Sequence, residues 1–134
     1  MAHQVVAHFH NGRLIKGSTV SIRPDQPLCH IMTLDHGKVP VSLSDLKALF
    51  VVRDFVGNSA YNERQVIAPT DPRAVGAKRL HVTFRDGEHL VGLAPAYEES
   101  RPFFFVLPAD PDSNNIRILV NRAAVRSVAT ASAT

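Results

Sequence analysis

Seven histidines are the first side chains in this sequence that invite chemistry. His8 and His10 stand two apart, and alternate residues of a strand share a face, a spacing that a metal ion can use. No cysteine pair or ordered third ligand accompanies them, and a half-buried β surface accepts histidine readily, so no metal or cofactor is expected. Cys29-His30 sets a thiol beside an imidazole. Neighbours on a strand point to opposite faces, however, so the two cannot serve each other as nucleophile and base. Cys29 reads as core packing. The run Asp110-Pro111-Asp112-Ser113-Asn114-Asn115 opens like a calcium loop. Its sixth and twelfth positions, which would need glycine and a bidentate glutamate, are Asn115 and Asn121. A turn explains it. Glu98-Glu99 pairs two carboxylates, but no apolar pocket is indicated beside them. No phosphate loop, Ser-His-Asp arrangement or zinc signature occurs. The expectation is a protein that is not an enzyme and has no catalytic residues.

The basic side chains are the next candidates. The chain carries a formal charge of +3, and from Ser113 onward there is no acid while Arg117, Arg122 and Arg126 are present. With Arg13 and Lys16, these could make a phosphate-facing strip, and nucleic acid becomes the alternative partner. Arginines that discourage pairing at a strand edge fit the same placement. The apolar runs carry more weight. Leu49-Phe50-Val51-Val52 and Phe103-Phe104-Phe105-Val106-Leu107 do not alternate, which is the mark of strands covered on both faces. In a small β unit their outward residues need cover from elsewhere in the chain, from a protein partner or from a second copy. Phe50, Val52, Phe103, Phe104 and Phe105 are therefore the candidate protein interface.

These residues must be positioned by a repeated element. Val6-Ala7-His8-Phe9-His10-Asn11-Gly12-Arg13-Leu14-Ile15-Lys16-Gly17 is echoed by His81-Val82-Thr83-Phe84-Arg85-Asp86-Gly87-Glu88-His89-Leu90-Val91-Gly92, about 75 positions on, as Phe9 stands to Phe84. Asp45-Leu46-Lys47-Ala48-Leu49 is echoed by Ala124-Val125-Arg126-Ser127-Val128. In the second copy a three-residue loop, Arg85-Asp86-Gly87, pairs Phe84 with Glu88 and Val82 with Leu90. That register unites Leu80, Val82, Phe84 and Leu90 on one face, with Gly87 left-handed at a bulge. The same logic joins Val5, Ala7, Phe9 and Ile15. Gly17 and Gly92 mark a sharp bend or a close backbone approach in the outgoing strand.

Further strands are expected at residues 19–22, 29–34, 39–43 and 48–55, with a short 3₁₀ or helical turn at 42–46. The second copy should place its strands at 81–84, 89–94, 103–107, 116–121 and 125–128. Five short strands with a one-turn helix before the last is the plan of an SH3-like or Sm-like barrel. The predicted fold is all-β: two tandem pseudo-symmetric small barrels, at 4–56 and 79–128, packed together because each alone is too small to bury much of its surface. Residues 57–78 form the linker, pinned by Tyr61, Val66 and Ile67 or carrying a short helix at 60–65. Residues 129–134 are expected to fray.

No apolar run approaches the roughly 18 residues of a membrane span. Met1-Ala2-His3-Gln4 lacks the basic and apolar regions of a signal peptide. Cys29 stands alone, so no intrachain disulfide can form, and a cytoplasmic location with no membrane partner is expected.

Two motifs, Lys47-Ala48-Leu49-Phe50-Val51-Val52-Arg53-Asp54-Phe55-Val56-Gly57-Asn58 and Pro108-Ala109-Asp110-Pro111-Asp112-Ser113-Asn114-Asn115, taken with the hairpins, resemble an uncharacterised family of short bacterial proteins and domains. Its members stand alone or beside signalling modules such as PilZ and receiver domains. The likeness covers most of residues 4–128. It implies bacterial origin and a regulatory or scaffolding context, and it supplies no catalytic residues. A weaker resemblance is to Sm-type RNA-binding barrels, through Phe9-His10-Asn11-Gly12 to Gly17 and Phe84-Arg85-Asp86-Gly87 to Gly92. The second Sm motif would place Arg-Gly where Ser44-Asp45 and Arg122-Ala123 stand. The functional expectation is a non-enzymatic interaction or regulatory module that binds a protein partner or forms a homo-oligomer, with RNA binding as the alternative.

Overall fold

Two hairpins that close in the same way begin the two halves of the chain, whose computed structural model describes residues 2–35, 37–55, 65–67 and 70–132. In the first, the Phe9 amide donates to the Arg13 carbonyl and the Gly12 amide to Phe9 (2.9 and 3.1 Å); in the second, Phe84 bonds Glu88 and Gly87 bonds Phe84 (2.8 and 3.0 Å). Gly12 and Gly87 take φ of 87° and 94°, which a Cβ would resist. The side chains of Asn11 and Asp86 accept from the amides two residues on. Val82 lies opposite Leu90 and Ala7 opposite Ile15, as the three-residue loop requires.

The strands are β1 (His3–Phe9), β2 (Leu14–Thr19), β3 (Leu28–Thr33), β4 (Gly37–Ser42), β5 (Leu46–Val52), β6 (Ala77–Phe84), β7 (His89–Pro95), β8 (Phe103–Pro108), β9 (Asn115–Asn121) and β10 (Val125–Ser132). A 3₁₀ turn precedes the last strand of each half, at Leu43–Asp45 and Arg122–Ala124. Every pairing within the first half has its counterpart in the second: β1·β2 with β6·β7, β2·β3 with β7·β8, β3·β4 with β8·β9, and β1·β5 with β6·β10. The duplication read from the sequence is thus a duplication of topology.

Closure into two separate barrels was expected, and the hydrogen bonding takes another course. β5 of the first half pairs antiparallel with β9 of the second, so the strands form one open sheet in the order β10-β6-β7-β8-β9-β5-β1-β2-β3-β4. Two strands that would have been edges satisfy each other's backbone groups instead.

Each half nevertheless keeps its own core. The first gathers Val5, Ala7, Ile31, Val41, Leu46, Leu49 and Val51; the second gathers Leu80, Val82, Phe84, Phe104, Val106, Ile118 and Val120. Cys29 is buried in the first. Gly17 and Gly92 let the second strand of each half cross tightly onto the third. A Cβ on Gly17 would stand 2.4 Å from the Met32 carbonyl oxygen, and one on Gly92 would stand 2.2 Å from that of Leu107.

Several local expectations change, and the strand expected at 48–55 spans Leu46–Val52 instead. Residues 20–22 leave the sheet after β2, and Thr19 Oγ1 turns to the Ser21 carbonyl (3.2 Å) while Ile22 still packs on the first core. Residues 129–132, expected to fray, continue β10 against Lys78, Arg79, Leu80 and His81, because ladder pairing needs backbone groups and not large side chains. In the linker Ile67 packs beside Ala74, Ala77 and Leu93, whereas Val66 is exposed. Tyr61 and most of the short helix expected at 60–65 lie outside the described residues, and Gln65, which is described, is not helical. No helix among the described residues is long and apolar enough to cross a membrane.

Gly92→Ala should lose about 2–3 kcal/mol, the cost of overpacking a site bounded by backbone. Urea unfolding measures it; a midpoint equal to wild type would show that the crossing has room.

Candidate functional site

The seam between the halves gathers most of the residues singled out from the sequence. It depends on a bulge. His8 is opposite Ala48 and Phe9 is opposite Leu46, so Lys47 is the extra residue of β5. Such a residue bends the strand and re-aims its side chains. Beyond it, Leu49 and Val51 face the first core, while Ala48 and Phe50 face the second. β9 returns the exchange: Ile118 and Val120 face the second core and Leu119 the first.

Phe50 lies opposite Ile118 and packs on the second core; Phe103 and Phe105 pack on the first, and Phe104 and Val52 are buried. The expected interface residues therefore lie in and around the chain's own seam.

The re-aimed Lys47 reaches the other half's hairpin. Its Nζ lies 2.8 Å from Asp86, bonds Glu88 and sits 4.6 Å from the centre of the Phe84 ring. Desolvation pulls the Lys47 pKa down, but the hydrogen bonds it donates to the two carboxylates, with their charge, outweigh it and leave the ammonium above its ordinary 10.5. The hydrogen bond from Lys47 holds Asp86 below its ordinary 3.8. Beside this pair His8 packs on the Phe50 ring (4.5 Å between centroids), and burial, with Lys47 nearby, keeps its pKa below 6.5. Asn121 adds a buried link, donating from Nδ2 to the Leu46 carbonyl (2.8 Å) while Oδ1 caps the 3₁₀ turn at Ala123 (3.0 Å).

The two sequence motifs meet at one end of the seam. Arg53 donates from its backbone to the Asn114 carbonyl (2.9 Å) and from its guanidinium to the carbonyls of Ser113 and Pro111 (3.0 and 3.2 Å). Asn114 exchanges two further hydrogen bonds with the backbone of Asp54. Arg73, paired with Asp71 at 2.7 Å, holds the Pro108 and Ala109 carbonyls. Asp110, only 1% exposed, accepts from the Asp112 amide (2.9 Å), as a turn residue would.

The remaining candidates do not converge. His10 faces the Ser44 carbonyl (3.0 Å), whereas His8 packs on Phe50. Burial pushes the Cys29 thiol up, so it stays protonated beside Thr19 (3.6 Å). Arg122 stacks over Phe104 and Tyr97 and bonds the carbonyls of Arg101 and Glu98. Arg117 covers Phe105, Arg126 reaches the Arg85 carbonyl, and Arg13 lies over Phe9. Lys16 lines an open groove on the first half.

Two features went unread in the sequence. His81 Nε2 and His89 Nδ1 come within 3.1 Å on the exposed face. The hairpin register, with Thr83 opposite His89, was enough to place them as diagonal neighbours. The second is that groove, where Leu14, Ile15, Met32, Leu34 and Val39 border a space of about 880 Å³. Among the described residues no three His, Cys, Asp or Glu side chains gather to hold a metal ion.

The chain belongs to a family of unknown function (DUF6982), whose pattern matches residues 1–132. No curated protein matches it.

Lys47→Met should cost about 1 kcal/mol at neutral pH, the scale of an ion pair whose carboxylates are exposed, with a cation–π contact. Asp86, depressed in the folded state, contributes fully above 3.8 and loses that contribution as pH falls through its folded value. Lys47, raised, contributes fully below 10.5 and loses that contribution only as pH rises past its folded value. The difference between variant and wild type should therefore close in acid, below the ordinary carboxylate range. A constant difference across an acid titration followed by circular dichroism would show that the ion pair contributes nothing.

Proposed function

We propose that this protein is a non-catalytic interaction module that takes a protein partner on the first half of its sheet. The observation that carries this reading is the uneven distribution of apolar surface. Of the eight large exposed hydrophobic side chains among the described residues, five (Leu14, Val20, Leu28, Met32 and Leu34) fall within residues 14–34, and Leu34 is 97% exposed. Leu14, Met32 and Leu34 border the open groove, and Val20, Leu28 and Met32 border a second depression that shares Ser18 and Met32 with it; scattered apolar residues need no explanation, but such a cluster is the usual form of a docking surface. The seam consumes Phe50 and the Phe103–Phe105 run, so the partner surface moves from those residues to β2, β3 and β4.

The small-barrel plan supports the same reading. Each half has five strands, a 3₁₀ turn before the fifth and a glycine where the second strand crosses the third, the ingredients of SH3-like and Sm-like units. The likeness to proteins found beside signalling modules favours a regulatory setting. RNA binding would need Arg13, Lys16, Arg117, Arg122 and Arg126 to converge on one surface. Arg122 and Arg126 are tied to carbonyls, and Arg117 lies on a ring, so no geometry favours that alternative.

The purified protein should retain a partner from lysate that survives nuclease and moderate salt. The folded double variant Met32→Glu and Leu34→Glu should lose it, with stability within about 0.5 kcal/mol of wild type because both sites are exposed. Retention that vanishes with nuclease, or falls steeply as salt rises, would give the surface to nucleic acid instead.

A further inference from the structure

We infer that the open groove of the first half takes an extended protein segment bearing an aromatic side chain and, three residues before it, a carboxylate. This rests on the interaction-module reading and names the partner's chemistry. The chain contains one worked instance of the contact. In the second half the groove bordered by Leu90, Pro108, Ala109 and Ile118 retains only about 120 Å³, because Phe50 of β5 packs there, opposite Ile118. Register equates this groove with the one in the first half. Ile118 lies opposite Val106 as Val39 lies opposite Ile31, and Leu90 lies opposite Val82 as Ile15 lies opposite Ala7. The first half's groove remains open to about 880 Å³, and β4, which stands where β9 does, is an edge of the sheet. Phe55, three residues past β5, borders this groove from the chain itself, yet the space beside it stays open to that volume.

The charge around the groove is inverted between the halves. Lys47, three residues before Phe50, is received by Asp86 and Glu88. The matching hairpin positions in the first half are Asn11 and Arg13, and no acid pairs with Arg13 among the described residues. Lys16 stands where Val91 does and also lines the groove, in which Asp35 is the one acid. A strand laid here with lysine in the position of Lys47 would meet a guanidinium; with glutamate it would form an ion pair.

The same comparison argues against a second copy. β10 is the chain's other free edge, but it presents Arg126 where β5 has Lys47, and Ala129 where β5 has Phe50. Arginine would face Arg13, and a methyl group cannot fill the groove. Pro40 also stands where β9 has Leu119, and it brings no amide hydrogen to a ladder. The hold on a partner therefore comes chiefly from the aromatic plug and the ion pair, with a reduced share from strand addition.

The probes are synthetic peptides copying residues 46–53: one in the native sequence, one with K47E, and one with K47E and F50A. Titrated into the ¹⁵N-labelled full chain, the K47E peptide should shift the amide signals of Leu14, Ile15, Leu34 and Val39. It should bind about tenfold more tightly than either of the others. Arg13→Glu in the protein should reverse the preference toward the native-sequence peptide. Absence of shifts at those amides, equal affinities, or no reversal would each overturn the inference. If partner capture still depends on Met32 and Leu34 while the peptides do not discriminate, the interaction module stands and its acidic-aromatic specificity falls. A concentration-dependent dimer dissolved by Leu34→Glu would assign the groove to a second copy and overturn the inference as well.

Discussion

The pairing of β5 with β9 is the constraint on which the rest of the molecule depends. It joins the two halves by exchanging strand faces: each core includes one buried residue from the other half, Ala48 in one direction and Leu119 in the other. Half-buried aromatics, Phe50 and the Phe103/Phe105 pair, extend the exchange. A lone half would leave these apolar faces in water, and small β units have little other burial to offset that exposure. The bulge at Lys47 makes the exchange possible, because it changes the phase of β5 between Leu46 and Leu49. The re-aimed Lys47 then ties the seam to the hairpin of the other half.

Much of this was legible in the sequence because it follows from local chemistry. Asn11-Gly12 and Asp86-Gly87 fixed the hairpins, and the parity of Val82, Phe84 and Leu90 fixed the loop length. Gly17 and Gly92 declared a close approach, and the turn before each fifth strand was placed correctly. The unbroken apolar runs announced two-sided burial. They could not say whether the cover would come from within the chain, since hydrophobicity has no direction. The bulge was hidden for a related reason: Lys47 reads as an ordinary outward residue until the register on both sides is known. Residues 20–22 carry strand-like side chains yet leave the sheet. Residues 129–132 lack them yet pair, because the ladder is decided by neighbouring backbone that no local window contains.

The motifs behind the family resemblance have a physical role. Arg53 and Arg73 grip the carbonyl of Pro108 at the end of β8 and three carbonyls of the loop between β8 and β9, and Asn114 locks that loop to Asp54. Guanidinium groups with several fixed donors suit such a loop, whose carbonyls have no ladder partners. These residues set the relation between the end of β5 and the start of β9. They therefore preserve the seam and lie apart from the first half's open groove.

The exchange of faces also has a consequence for biosynthesis. Strands leave the ribosome in order, and β5 is complete long before β9 exists. Until Ile118 and Leu119 emerge, the nascent first half waits with Phe50 bare and its core one side chain short. Maturation is thus tied to synthesis through β9, and a product truncated before it would present the greasy strand that chaperones are built to recognise.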